Sequence, residues 1–450
     1  SLGNAADPID ADQKLQEDAL MSYVASVNYS YDDKYYASFS FRRDGSSRLS
    51  PDTRWGNFWS LSASWRLSQE RFMQPLKSVL SDLKLRASYG VNGNLPSSYY
   101  GYQSTYTTGA FYSGKPSPWE STLGNEELTW EKNYALNLGL DIGLFSRVNV
   151  SLDWYTRTTK DLLMSKQLNS ISGFSSLLTN VGQMRNTGVE LEVRSNNIKT
   201  KDFSWTTAFN LSHNKNKILK LADLPWFVDG RYVRKEGYPF NTIYLREYAG
   251  VDPETGSALY YDNQQDENGN YTKNKVTDPG QASPIPLKDI TPTISGGFMN
   301  TFNYKFIDLS FNLSYSFGGY SYDNASYILQ DDGYSVISNK STEQRRRWQK
   351  PGDITDVPRF VYGNKKGGNY NSSRAIHSTD HIRLKSLILG LNAPKAWLQK
   401  LGIGNARIYF SGTNLLTWAA YDQYDPEMSG VVGFYTPPLK TYAFGLELKF

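Results

Sequence analysis

The feature that most constrains this chain is a two-residue alternation that persists for ten residues or more at a stretch. In KFIDLSFNLSYSF, Ile307, Leu309, Phe311, Leu313, Tyr315 and Phe317 take one face, and Asp308, Ser310, Asn312, Ser314 and Ser316 take the other. NYALNLGLDI sets Tyr134, Leu136, Leu138, Leu140 and Ile142 against Asn133, Ala135, Asn137, Gly139 and Asp141. The segment TYAFGLELKF closes the pattern, with Tyr442, Phe444, Leu446, Leu448 and Phe450 on a single stripe. Period two means strands, because successive side chains point to opposite faces. A strand of a soluble sandwich is usually about five or six residues, whereas about ten residues are needed to cross a hydrocarbon layer at a tilt.

Composition agrees with a membrane β-barrel. The mean hydropathy is −0.55 and no run approaches the length of an apolar membrane helix. Strands of a barrel conceal their apolarity by alternation. Aromatics make up 14% of the chain, with 33 Tyr and 11 Trp, as an aromatic girdle at a lipid–water boundary requires. The net charge of +4 is dispersed, so no concentrated basic face points to nucleic acid. The absence of cysteine excludes disulfides and thiolate metal sites.

The alternation predicts about thirteen strands, near 19–31, 34–43, 56–67, 82–90, 130–143, 146–160, 184–196, 202–214, 291–303, 305–317, 380–393, 405–416 and 439–450. Short connections fall at 32–34, 144–146, 197–201 and 304–305. Long ones fall at 91–129, 161–183, 215–290, 318–379 and 417–438. Short periplasmic turns and long external loops are the outer-membrane pattern. Two periplasmic segments are longer, 68–82 and 393–405, and a short helical turn is expected in them. A single-chain bacterial barrel normally has an even strand count. The odd count, with no initiator Met and no signal peptide, reads as a chain lacking its beginning.

The stretches LTWEKNYALNLGLDIGLFSRVNVSLDWYTRTTKDLLMSKQL, GFSSLLTNVGQMRNTGVELEV and FSWTTAFNLSHNKNKILKL resemble the barrel of SusC/RagA-type TonB-dependent outer-membrane transporters. RRDGSSRLSP, SDLKLRASYGVNGN, HIRLKSLILGLNAP and YFSGTNLLTW extend the resemblance over nearly the whole chain. The resemblance implies a plugged 22-stranded barrel, with residues 1–450 as its C-terminal thirteen strands and with the N-terminal region, plug and first strands absent. It also implies import of oligosaccharides or peptides, a SusD-like surface lipoprotein as lid, and energy from the TonB complex through that N-terminal region. No cofactor is implied. A terminal aromatic after such a stripe resembles the signal read by the outer-membrane assembly machinery, so Tyr442, Phe444, Leu446, Leu448 and Phe450 are expected to direct insertion. Deleting Phe450 should then lower outer-membrane levels, and normal levels would refute the idea.

Candidate substrate contacts are the loop aromatics Tyr99, Tyr100, Tyr102, Tyr106, Phe111, Tyr112 and Trp119, followed by Trp226 with Phe227 and Tyr232. Flat sugar faces lie on aromatic rings, while phenol and indole groups add hydrogen bonds. The alternative is that these rings pack the loops together or against a lipoprotein. No metal site is expected. Asp266, Asn268 and Asn270 have calcium-loop spacing, but Tyr271 stands where glycine is needed and Thr277 where a glutamate belongs. A solvated Asx turn is the better reading. His377, Asp380 and His381 fall within five residues, but on a strand positions four apart lie roughly 13 Å apart along it, and no further ligand is evident. Arg345–Arg346–Arg347 could meet anionic lipopolysaccharide, an acidic patch on a partner, or simply solvent. Glu126, Glu127 and Glu131 lack the apolar pocket that a glycosidase acid needs. No catalytic residues are therefore expected. The rival readings are a soluble β-rich glycan-binding protein, which would have to cover the apolar stripes, and a passive porin.

Overall fold

The computed structural model describes residues 15–221, 225–335, 337–364, 371–398 and 402–450. Among these, thirteen strands join in one sheet in chain order. They are β1 (Leu20–Tyr31), β2 (Tyr35–Ser46), β3 (Trp55–Arg66), β4 (Leu80–Asn94), β5 (Glu131–Leu144), β6 (Val148–Lys160) and β7 (Gln183–Lys199). The rest are β8 (Phe203–Lys220), β9 (Ile294–Tyr304), β10 (Ile307–Phe317), β11 (His381–Asn392), β12 (Asn405–Ala419) and β13 (Thr441–Lys449). Each predicted strand is present. The strands also run further than the alternation indicates: β4 reaches Asn94, β7 reaches Lys199 and β8 reaches Lys220. Each extension carries only one or two apolar residues among polar ones (Val91, then Ile198, then Ile218 with Leu219), too few to announce a strand by alternation.

Tight turns close the short connections. Asp32–Asp33 and Phe145–Ser146 hold left-handed φ angles of 52–53°. The Lys34 amide donates to the Tyr31 carbonyl at 3.0 Å, and Arg147 donates to Leu144 at 2.9 Å. Left-handed central residues match the twist of adjoining antiparallel strands. The β3–β4 connection contains 3-10 turns at Leu67–Gln69 and Arg71–Leu76, and β11–β12 contains a helical turn at Lys395–Leu398.

The chain divides into two compact units. One comprises Ser1–Ser64, Ala87–Asn137 and Arg157–Arg185. Its core is Leu49, Phe58, Val91, Leu128 and Trp130. Phe58 meets Trp130 edge-on at 5.2 Å, and the Trp130 indole donates to the Arg54 carbonyl. Asn180 fastens the loop before β5, donating to the Thr129 and Asp161 carbonyls and accepting from the Thr129 amide.

The other unit comprises Trp65–Arg86, Leu138–Thr156 and Asn186–Phe450. Register through β8–β13 lines the stripes up into rows. One row reads Trp205, Phe302, Leu309, Leu389, Phe410, Phe444, and the next reads Phe203, Tyr304, Ile307, Leu391, Ile408, Leu446. The apolar rows are half-buried to exposed, with Phe444 at 81%. On the opposite face Asp308 binds Arg407 and Asn392, and Arg86 bridges Asp141 and Asp153. Apolar outside and ion-paired on the other face is the reverse of a water-soluble sheet. No helix among the described residues is long and apolar enough to cross a membrane.

Candidate functional site

The long loops are folded. In the first unit, Tyr99 lies beneath the Arg48 guanidinium at 4.2 Å, and the Tyr100 phenol accepts from the Glu17 amide. The Tyr102 phenol accepts from the Gln103 side chain. These three rings help hold their loop together. The strands Thr105–Tyr112 and Lys115–Thr122 form a hairpin. It exposes Tyr106, Phe111, Tyr112 and Trp119, from 56% for Trp119 to 79% for Tyr112. The seven predicted aromatics therefore split into a packed set and a presented set.

In the second unit, strands 226–229, 232–235, 242–245 and 285–289 form a small antiparallel sheet. Trp226 pairs with Lys235, Val233 with Thr242, and Tyr244 with Pro286. The side chains of Trp226, Lys235, Val233, Tyr244 and Pro286 therefore share one face. Trp226 meets the Tyr244 ring at 5.9 Å. Phe227 and Tyr232 belong to the other face, and Tyr232 packs against the core of Ile243, Leu245, Tyr322 and Ala375.

Beside this sheet, the excursion from Asp262 to Asn274 is a compact hairpin. The Asp262 carboxylate accepts from Thr272 and Asn274, and Thr272 N donates to the Gln264 carbonyl. At its tip the Asp266 carboxylate accepts from the Asn268 and Asn270 amides at 2.9 and 2.8 Å, which is the expected Asx turn. Those hydrogen bonds, the Asn270 amide first, hold the Asp266 carboxyl below its ordinary value.

The loop after β10 turns on Asp331–Asp332. Asp332, fully buried, takes Arg374 at 2.6 Å and Gln344 at 3.0 Å; Asp331 takes Lys340 at 2.7 Å. Burial works against the Arg374 charge, and the Asp332 carboxylate more than offsets it, leaving the guanidinium above its ordinary value. Arg346 of the basic run bridges Glu343 and Asp356, and Trp348 donates to the Pro253 carbonyl.

The loop after β12 folds back over β11. Arg383 binds Asp425 at 2.7 Å and Glu427 at 2.9 Å, and Lys385 joins Glu427 at 2.6 Å. A cleft of about 280 Å³ lies against this loop and is lined by Tyr421, Tyr424, Phe434 and Tyr435 with Gln330 and Asp323. The Tyr421 phenol donates to Asp323 at 2.9 Å. Burial pushes the Tyr421 phenol well above its ordinary value. His377 stacks on Tyr421 at 3.7 Å, Asp380 accepts from the Gly318 amide, and His381 contacts the Thr379 carbonyl. The three members of the HSTDH motif thus have separate neighbours. The 417–438 aromatics were not among the predicted contacts, although their clustering in a long loop was visible in the sequence.

A family profile described as "TonB dependent receptor-like, beta-barrel" matches residues 2–280. The chain is 33% identical over 97% of its length to TonB-dependent receptor P3 of Formosa agariphila. The chain belongs to the TonB-dependent receptor β-barrel family. It is also 31% identical, over 98% of its length, to TonB-dependent receptor SusC of Bacteroides thetaiotaomicron. It spans about half the length of these curated relatives, 46% and 45% respectively. The solved structure of the RagAB peptide transporter superposes on all of this chain with a TM-score of 0.89 at 30% identity, using 50% of that chain.

Membership in this family explains the sheet. The apolar rows of β8–β13 face lipid of an outer membrane, and the ion-paired face lines the interior of a TonB-dependent receptor barrel. The folded loops stand on the connections at the end opposite the tight turns.

Proposed function

We propose that this chain contributes thirteen C-terminal wall strands and their loops to an outer-membrane active importer of the SusC/RagA type. It works with a SusD-like surface lipoprotein, is energised by the TonB complex, and carries oligosaccharides or peptides without chemical change. The observation that carries this reading is the likeness to RagAB over the entire chain, loops as well as wall. The description of RagAB as a peptide transporter supports the peptide arm. The exposed aromatic hairpin and the polar cleft beside Trp226 suit sugars. Substrate must bind well enough to enter and weakly enough to leave, and a face of Ser, Asn and Tyr offers many such modest contacts.

The test is uptake by the full-length protein in its native outer membrane. Deleting the gene should abolish growth on a subset of oligosaccharides or peptides as sole carbon source, and inactivating TonB should do the same. Uptake that survives loss of TonB would identify a passive porin. Native mass spectrometry in mild detergent should show an associated lipoprotein and an unaltered bound ligand.

A further inference from the structure

The cleft beside Trp226 has a volume of about 460 Å³, within the span of about 300–1,000 Å³ usual for ligand sites. Its floor is the shared face of the small sheet described above. Its wall is the 262–274 hairpin, which contributes Asn263, Gln264, Gln265 and Tyr271. Two observations single it out. Trp226 remains 45% exposed at the rim, with Tyr244 beside it. Asn263, only 2% exposed, has no hydrogen-bond partner for either its side-chain oxygen or its nitrogen. It also holds a left-handed φ of 50°.

A buried amide with both ends unpaired is costly, because each end has given up its water partners and gained none in return. The hairpin that carries it is otherwise well bonded, through Asp262 and the Gln265–Tyr271 bridge. Backbone and polar strain of this kind on a rigid support is characteristic of binding sites. The lining is dominated by neutral hydrogen-bonding groups, and none of its residues is an acid. Its one cation, Lys235, lies over the Tyr238 ring at 5.1 Å. No carboxylate is available for a peptide amino terminus or a basic side chain. An aromatic platform with planar amides suits vicinal hydroxyls above a flat C–H face.

We infer that this cleft is a saccharide subsite, in which one neutral pyranose lies on Trp226 and two adjacent hydroxyls pair with the Asn263 amide. The inference rests on the importer reading and narrows its substrate to neutral oligosaccharides.

The experiment is binding of the full-length protein, in detergent, to an array of neutral oligosaccharides and in parallel to a tryptic peptide pool. Wild type should bind at least one neutral glycan. Trp226→Ala and Asn263→Gly should each weaken it at least tenfold, whereas Trp226→Phe should lose less. Glycine accepts the left-handed φ, so Asn263→Gly should fold, with thermal stability equal to or above wild type. An array with no glycan bound, or glycan binding indifferent to both substitutions, overturns the proposal. Peptide binding lost with Trp226 overturns it in favour of a peptide site. TonB-dependent uptake, measured separately, distinguishes failure of the subsite from failure of the importer reading.

Discussion

The wall β8–β13 and the loops that rise from it are held by opposite means. In the wall, apolar side chains are turned outward in register and the ion pairs lie on the other face. In the loops, charge is buried: Arg374 meets Asp332 beneath the surface, and Asp425 of the loop after β12 is clamped by Arg383 at the start of β11. The wall takes its order from a repeating pattern and a lipid solvent. The loops take theirs from a few specific pairs joining distant residues. A substitution should therefore be judged by its face in the wall and by its partner in the loops.

The largest effect is expected where a buried pair is broken. Arg374→Ala takes the guanidinium away from the wholly inaccessible Asp332, and breaking a buried pair of this kind costs about 3–5 kcal/mol. Hydrogen exchange should show the loop after β10 opening while the wall amides stay protected. Equal deprotection of both regions would mean that the two are not separately stabilised.

Next comes a charge on the lipid face. Leu389→Arg, in the middle of an apolar row, should destabilise the full-length protein in lipid vesicles by about 2–4 kcal/mol. Ser411→Arg, on the opposite face of the adjoining strand, should fall within about 0.5 kcal/mol of wild type. Urea unfolding reads both. A similar cost at the two sites would contradict the assignment of the faces.

The same contrast explains what was legible in the sequence. All thirteen wall strands could be read because one face of each meets lipid, and alternation is the direct trace of that. The ends of β4, β7 and β8 were not, since single apolar residues such as Val91, Ile198 and Ile218 among polar neighbours are too few to show a period. Loop strands of three to five residues carry no periodicity. Their partners are far away: Ser321 pairs in parallel with Gly430, and Thr242 with Asp289. Trp226 could be suspected as a loop aromatic. Asn263 could not, because nothing in DNQQDENGN distinguishes a strained, unpaired amide from its neighbours.

A smaller effect is expected at a close approach within the wall. Tyr409 lies between Gly390 and Gly445 in one row, and a Cβ added at Gly445 would come within 2.3 Å of the Tyr409 ring. Gly445→Ala should cost about 1 kcal/mol, the low end for overpacking, because the phenol end can swing aside. Adding Tyr409→Ser should recover most of it. No recovery would place the strain in the backbone.

The smallest effect separates loops from wall by pH. His377 stacks on Tyr421, its Nε2 is buried without a partner, and burial holds its pKa below the ordinary 6.5, opposed in part by Asp323. The neutral ring is therefore favoured when folded, and the unfolded loop binds the extra proton. Stability from this group is complete above pH 6.5 and falls as pH drops from there toward the lower folded value. His377→Phe keeps a flat ring against Tyr421 and removes the titration. The variant loop should match wild type at pH 8 and gain on it as the medium is acidified, as read by proteolysis of the loop before β11. The wall should cleave no faster in either protein. A pH slope unchanged by the substitution would mean that His377 does not set the acid sensitivity of this loop.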